Sequence, residues 1–223
     1  MELIFVFGAL LIVFIAQQAL NFTYSKYKKV LVDSNLTGYE VAKKILSEYD
    51  LDNINVGSVT GNLSDHYNNS KKVVNLSTDI YNGRTIAACA VAAHECGHAI
   101  QYKEGYTPIK IRNFLVPIVN IGNTLGYAVI VASLAASATK LFILGLVLIS
   151  FALIFQLITL PVEFDASKRA NKILLEMGLV TQDEQEGTKK MLKAAAFTYV
   201  AGLISSIMQI LRLVYLFVGK RRD

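Results

Sequence analysis

The sequence predicts an α-helical multi-pass membrane protein with four transmembrane helices and a small α+β domain. Of its 223 residues, 53% are hydrophobic and only 17% are charged, whereas soluble globular proteins carry about 25% charged residues. The apolar residues are grouped into runs with few or no charges that are long enough to cross a bilayer, and polar segments lie between them. This composition excludes intrinsic disorder, which needs low hydrophobicity and high charge, and argues against an ordinary cytosolic enzyme.

Four segments provide the roughly 20 apolar residues that a helix needs to cross a bilayer: about 3–25, 114–138, 141–162 and 196–218. The first has no basic n-region and no small-residue cleavage site, so we expect an anchor and not a signal peptide. Arg212 interrupts the fourth segment near its end, where its side chain can reach lipid headgroups. The alternative is a charge on an ion pathway within the membrane. The sequence therefore predicts an integral protein of the cell membrane, with the lipid bilayer as a partner.

Four crossings place residues 26–112 and 163–193 on one side of the membrane. These two segments hold 17 of the 22 Lys and Arg residues, against four on the other side. The positive-inside rule then predicts that they are cytoplasmic, although the basic tail at 220–223 argues for the opposite orientation. The net charge is +5, and the basic residues flank the apolar segments. We therefore attribute them to membrane topology signals and to contact with anionic lipid headgroups, and we expect no nucleic-acid partner.

The polar segments contain signals for both helices and strands. Capping boxes begin helices at 37–40 and 181–184, and the second helix can continue into the fourth membrane segment. β-branched runs predict strands at 53–60 and 72–77, joined by a loop at 61–70. Further helices are predicted at 84–103, which is rich in alanine, and at 163–177.

The motif with the clearest chemistry is His-Glu-x-x-His at residues 94–98, within the predicted helix 84–103. At about 100° per residue, His94 and His98 lie one turn apart on one helix face and can bind a single metal ion. Glu95 lies on the neighbouring flank, where it can act as a general base on the nucleophilic water without being a ligand. The motif therefore predicts a site for one zinc ion, Zn²⁺, with Glu95 as the catalytic base.

A catalytic zinc site has three protein ligands, and two kinds of residue could supply the third: His66 or a carboxylate downstream. After His98 the chain crosses the bilayer and returns, so Glu163 is the first charged residue back on the side of the histidines. We expect Glu163 to be the third ligand; the alternative is an interfacial charge that merely ends the span. Asp165 is expected to pair with Arg169 four residues later.

These segments resemble the YugP-type neutral zinc metallopeptidase family, and more distantly the HtpX and CAAX-prenyl endopeptidases. The similarity is carried by His-Glu-Cys-Gly-His-Ala-Ile-Gln at 94–101, a transmembrane hairpin, and Leu-Pro-Val-Glu-Phe-Asp-Ala-Ser at 160–167. The resemblance covers nearly the whole chain and implies a zincin-like catalytic domain, zinc, Glu95 as base and Glu163 as third ligand. One position departs from the HtpX-like pattern: Ser167 stands where an Asp would orient a ligand histidine, so that role passes to a weaker hydroxyl, to Asp165 or to another residue.

Two further expectations concern the substrate. The resemblance implies that an edge strand, here 72–77, pairs with the extended substrate backbone; the alternative is an ordinary sheet strand. His66, in the loop before it, is a candidate donor to the oxyanion of the tetrahedral intermediate. It could equally be an exposed loop residue.

Together these observations predict a membrane-bound zinc-dependent endopeptidase, in one domain spanning 1–223, with its catalytic portion at 26–112 plus 163–193. Its expected substrate is a polypeptide, either a membrane protein or a juxtamembrane segment, because the site lies near the membrane surface. The alternative is a non-proteolytic membrane protein with a structural zinc site. A structural site would use the same ligands but would not need Glu95.

Overall fold

The computed structural model describes residues 2–136 and 138–219. Within them the chain forms seven helices and three strands. The helices are α1 (Glu2–Tyr27), α2 (Gly38–Glu48), α3 (Thr78–Asn82), α4 (Ile86–Lys103), α5 (Thr107–Ala136), α6 (Thr139–Glu176) and α7 (Gln182–Gly219), and the strands are β1 (Asn55–Val59), β2 (His66–Asn68) and β3 (Val73–Ser77).

The contacts divide the chain into two compact units. The helical unit consists of Met1–Gln17, Thr107–Pro161 and Phe197–Asp223. The α+β unit consists of Gln18–Tyr106 and Val162–Ala196. Every residue of the predicted metal site lies in the α+β unit.

Among the described residues, α1, α5, α6 and α7 are long and apolar enough to cross a membrane, as the sequence predicts. Large apolar side chains such as Phe7, Phe14 and Phe114 are exposed on these helices, as expected where lipid is the solvent. Both α6 and α7 continue well beyond their apolar segments, and α6 passes through Pro161 without ending. The predicted span 141–162 and the predicted helix 163–177 are therefore one element.

Small residues let α5 and α6 approach closely in the helical unit. A Cβ atom added to Gly145 would lie 3.0 Å from the carbonyl oxygen of Gly126, and 2.6 Å from the Ile130 side chain. Contacts of this kind replace the hydrophobic driving force between helices in lipid, where close van der Waals packing stabilises association.

The α+β unit contains a three-stranded sheet in the order β1-β3-β2. β1 pairs with β3 in parallel, and β2 pairs with β3 antiparallel, with His66 opposite Asn75. The prediction of an uninterrupted loop at 61–70 is wrong at 66–68. Three polar or aromatic residues, His-Tyr-Asn, have no apolar alternation, and their pairing depends on β3, so sequence periodicity could not reveal the strand.

The expectation that the strand at 72–77 is an edge strand is also wrong. β3 is hydrogen-bonded to β1 on one side and to β2 on the other, so its backbone has no free side for a further strand. β1 and β2 form the edges of the described sheet, and of these two β2 contacts α4.

The core of the α+β unit lies between the sheet and helices α2 and α4. Thr37 and Glu40 form the predicted capping box of α2, and the Thr85 hydroxyl accepts a hydrogen bond from the Ala88 amide at the start of α4. The alanines of α4 are small enough for the helix to be enclosed by its neighbours. Those with no exposed surface are Ala87, Ala88, Ala90, Ala92 and Ala93.

Candidate metal centre

The site is formed where α4 meets the second half of α6, and Gly97 allows this approach. A Cβ atom added to Gly97 would lie 2.9 Å from the carbonyl oxygen of Ala166, closer than a side chain can normally come. Because Gly97 stands between the two histidines in sequence, the contact brings the histidine-bearing turn of α4 against the turn of α6 that carries Glu163.

His94, His98 and Glu163 come together at this contact. The ligand atoms that they offer all lie within 4.8 Å of one another. Oε2 of Glu163 is 3.2 Å from Nε2 of His94 and 3.7 Å from Nε2 of His98. Glu163 is 1% exposed and His98 is 7% exposed, while His94 is partly buried. Two imidazole nitrogens with one carboxylate form a ligand set of catalytic zinc sites.

The Glu163 carboxylate opposes the effect of burial on His98. Burial alone would lower the pKa of His98, because a charged imidazolium is poorly solvated in the interior. The hydrogen bond to Glu163, the negative charges of Glu163 and Glu95 and the hydrogen bond to Gln101 together outweigh burial and raise the pKa. The carboxylate therefore attracts positive charge, which is what a cation site requires.

Each histidine uses its other ring nitrogen to contact a neighbour. Nδ1 of His98 is 3.0 Å from Oε1 of Gln101, and Nδ1 of His94 is 3.3 Å from Oγ of Ser167. Partners of this kind set the orientation of a ligand histidine. The hydroxyl of Ser167 does contact His94, and Gln101 contacts His98.

Asp165 pairs with Arg169, as the i,i+4 spacing predicts: the Arg169 Nε donates to Asp165 Oδ2 at 2.5 Å. Arg169 also donates from Nη1 to Glu104 at 2.6 Å. Asp165 contacts neither histidine directly but accepts a hydrogen bond from Gln101. The residue that sequence reasoning missed is thus Gln101, whose i,i+3 spacing from His98 on the same helix is the signal that could have identified it.

Glu95 is buried at 8% exposure beside the histidines. Its charge is close enough to contribute to the raised pKa of His98 and to that of Asp65. The pKa of Asp65 is raised mainly by burial of its carboxyl group. The charge of Glu95 is therefore close enough to act on both the histidine pair and the segment that leads into β2.

His66 lies at the start of β2 and is exposed. Its Nδ1 is 2.9 Å from the carbonyl oxygen of Ser64, and its Nε2 is 3.1 Å from the Asn75 side-chain nitrogen. Because a carbonyl only accepts, Nδ1 carries the proton and Nε2 accepts from Asn75. The preceding residue, Asp65, accepts hydrogen bonds from the backbone and hydroxyl of Ser77, which fixes the beginning of β2 against the end of β3.

Cys89 and Cys96 are both free thiols and both buried. They lie seven residues apart on one helix, which is too far for a disulfide bond. Burial raises the pKa of Cys89 to about 12 and raises that of Cys96 further. Neither is among the residues that converge on the candidate metal centre.

Comparison with known proteins adds to this geometry. Residues 2–218 match the family model described as "Putative neutral zinc metallopeptidase". The chain belongs to this family. It is also 40% identical over 216 residues to the "Putative membrane protease YugP" of Bacillus subtilis (strain 168), an alignment that covers 97% of this chain and 96% of the relative. No solved structure matches the chain significantly.

Family membership confirms the expected resemblance and supports a proteolytic role with zinc as the metal, a peptide as substrate and an association with the membrane. The four apolar helices point to an integral membrane protein. The ligand set, the catalytic base and the orientation in the membrane are proposals.

Proposed function

We propose that this protein is a membrane-bound zinc-dependent endopeptidase with a zincin-like catalytic domain. The observation that carries the proposal is the convergence of His94, His98 and Glu163, from two distant segments, within 4.8 Å of one another. These residues would hold one zinc ion, with Nε2 of each histidine and the Glu163 carboxylate as ligands. Zinc bound there would supply a Lewis acid for the scissile carbonyl and would lower the pKa of a bound water.

Glu95 is the proposed general base. It is adjacent to His94 in sequence and buried beside the site, so it can accept the proton of the attacking water. It then donates that proton to the amine that leaves when the peptide bond breaks. Because Glu95 is not part of the proposed ligand set, this chemistry does not require it to leave the metal.

The substrate is a polypeptide, and the sheet indicates how it binds. β2 is an edge strand that contacts α4, so an extended substrate segment can add to β2 through main-chain hydrogen bonds. Substrate binding of this type depends on main-chain hydrogen bonds more than on side chains. It therefore suits an endopeptidase of low sequence selectivity. The proposed substrates are membrane proteins or their juxtamembrane segments, because the apolar segment of α6 ends immediately before Glu163.

His66 is the proposed donor to the oxyanion. It stands at the start of β2, next to Asp65, whose carboxyl interacts with the charge of Glu95. In the structure its Nε2 accepts from Asn75, so donation to an oxyanion requires a proton on Nε2 and the release of Asn75. We therefore expect His66 to contribute to the rate of cleavage and not to metal binding.

The alternative is a non-proteolytic membrane protein with a structural zinc site. Burial of Glu95 beside the histidines favours the enzyme, because a structural site needs no base and a buried carboxylate that is not a ligand costs stability.

The proposal is tested by following cleavage of an unfolded polypeptide by the purified protein in detergent. We expect cleavage to stop when a strong chelator removes the metal and to return when stoichiometric Zn²⁺ is added. Cleavage that continues unchanged after complete metal removal would contradict the proposal, because the metal supplies the electrophile.

A further inference from the structure

Gln101 is completely buried and forms three hydrogen bonds, one within α4 and two from α4 to α6. Its Oε1 is 3.0 Å from Nδ1 of His98. Its Nε2 donates to the backbone carbonyl of Val162 and to the carboxylate of Asp165, each at 2.9 Å. One amide side chain therefore contacts a proposed metal ligand, the residue preceding a second proposed ligand, and an acidic side chain.

The orientation of the Gln101 amide follows from the chemistry of its partners. The Val162 carbonyl and the Asp165 carboxylate, which is ion-paired with Arg169, are both acceptors, so the amide nitrogen must face them. The amide oxygen then faces His98, and because that oxygen only accepts, Nδ1 of His98 must carry the proton. When the imidazole is neutral, its lone pair is therefore on Nε2, the nitrogen nearest Glu163, where the zinc ion would bind.

His94 has no equivalent constraint. Its Nδ1 is 3.3 Å from the hydroxyl of Ser167, and a hydroxyl can donate or accept. This contact is therefore compatible with either tautomer of His94. Nε2 of both histidines faces the Glu163 carboxylate, so the difference between them lies at Nδ1. Only His98 has an Nδ1 partner that can only accept and therefore fixes the proton there.

The Gln101 amide is itself held in place. Asp165 accepts from Gln101 and from Arg169, and Arg169 continues to Glu104 at the end of α4. The network thus begins and ends on α4 and passes through α6. Displacing α6 relative to α4 would break the bond from Gln101 to Val162 and move Glu163 away from the histidines.

We propose that Gln101 is a positioning residue: it fixes His98 in the tautomer that binds metal through Nε2, and it couples that histidine to the segment carrying Glu163. The proposal rests on the metal site of the proposed function. Gln101 itself is not a ligand and does not touch the substrate.

The test measures the Zn²⁺ affinity of the purified full chain in detergent, by competition with a chromogenic chelator. Gln101→Met keeps the approximate size of the side chain but removes the acceptor for His98 and the donor to α6. We expect zinc binding to weaken by about 10–100-fold, as is typical when the partner of a ligand histidine is lost. Ser167→Ala is the matched control at His94, and we expect a smaller loss.

A charge swap distinguishes positioning from simple packing. Gln101→Glu retains an acceptor for His98 but places a carboxylate against Asp165, so zinc binding should weaken. Adding Asp165→Asn supplies an amide that can donate to the new carboxylate, and we expect the double variant to recover most of the lost affinity. If Gln101→Met loses its helical circular dichroism signal, this pair of variants decides the question.

Three results separate the possibilities. A Gln101→Met variant that is folded and binds zinc within threefold of the wild type would overturn the proposal. So would a folded double variant that binds no better than Gln101→Glu alone. If the wild-type protein binds no zinc, the proposed function itself fails, which is a different outcome from either.

Discussion

Glu163 lies where α6 changes from an apolar to a charged sequence, and this position explains how a membrane helix can contribute to a polar site. Its carboxylate is 1% exposed and contacts both histidines, while Asp165, two residues later, is directed to Gln101 and Arg169. Two acidic residues two positions apart, on opposite faces of one helix, therefore have different partners, and the effects of replacing them can be compared.

Metal content after dialysis against a mild chelator is the measurement that separates the two. We expect Glu163→Ala, His94→Ala and His98→Ala all to lose zinc, because each removes one of the three proposed ligands. Asp165→Ala should lose less, since it acts only through Gln101. His66→Ala should retain zinc and affect only turnover. If His66→Ala empties the site while Glu163→Ala does not, the third ligand is His66.

The two cysteines give a second prediction at the scale of single residues. Both thiols are buried and the pKa of Cys89 is raised to about 12, so little reactive thiolate is present at neutral pH. We expect no labelling by a maleimide reagent in the folded protein and labelling of two thiols after denaturation. Rapid labelling of the native protein would show that α4 is less enclosed than the structure indicates.

At the scale of elements, the approach of α4 to α6 assembles the site. Gly97→Ala would place a methyl group 2.9 Å from the Ala166 backbone oxygen, and overpacking of this kind typically costs about 1–3 kcal/mol. We expect a lower thermal unfolding midpoint and weaker zinc binding together, because separating the helices also separates the ligands.

Gly202→Ala on α7 is the control for Gly97→Ala. The added methyl group would lie 3.4 Å from the flexible side chain of Gln156, which is an ordinary van der Waals contact. We expect the unfolding midpoint and the zinc affinity to stay close to those of the wild type. Equal effects of the two substitutions would contradict the importance of the close approach at Gly97.

The elements that were predicted well are those with a strong local signal. The four apolar helices, the capping box at Thr37 and the helix bearing the histidines all follow from periodicity, composition or side-chain capping. β2 and the central position of β3 did not follow, because strand order depends on contacts between segments that are distant in sequence. The role of Gln101 was missed for the same reason: two of its three partners lie on α6.

At the scale of the whole molecule, the unequal distribution of basic residues sets the expected orientation in the membrane. We propose that the catalytic segments, which hold 17 Lys and Arg residues, face the cytoplasm. The basic tail at 220–223, which argues against this, lies outside the described residues.

A single exposed cysteine can test this orientation. Ser70 lies in an exposed turn of the α+β unit, whereas the native Cys89 and Cys96 are buried. Ser70→Cys therefore adds an exposed thiol that the labelling reagent can reach. In intact cells we expect no labelling of Ser70→Cys by a membrane-impermeant maleimide, and labelling after the cells are opened. A reporter fused after Asp223 should give the non-cytoplasmic signal. Labelling in intact cells would place the catalytic segments outside.

The central claim is that Glu95 acts as a base beside a zinc site made by His94, His98 and Glu163. Its most direct test is a paired measurement of zinc content and cleavage rate in wild type and Glu95→Gln. We predict near-stoichiometric zinc in both proteins and a loss of cleavage by orders of magnitude in Glu95→Gln. Unchanged turnover in the variant would contradict the mechanism, and loss of zinc would show that Glu95 is a ligand and not the base.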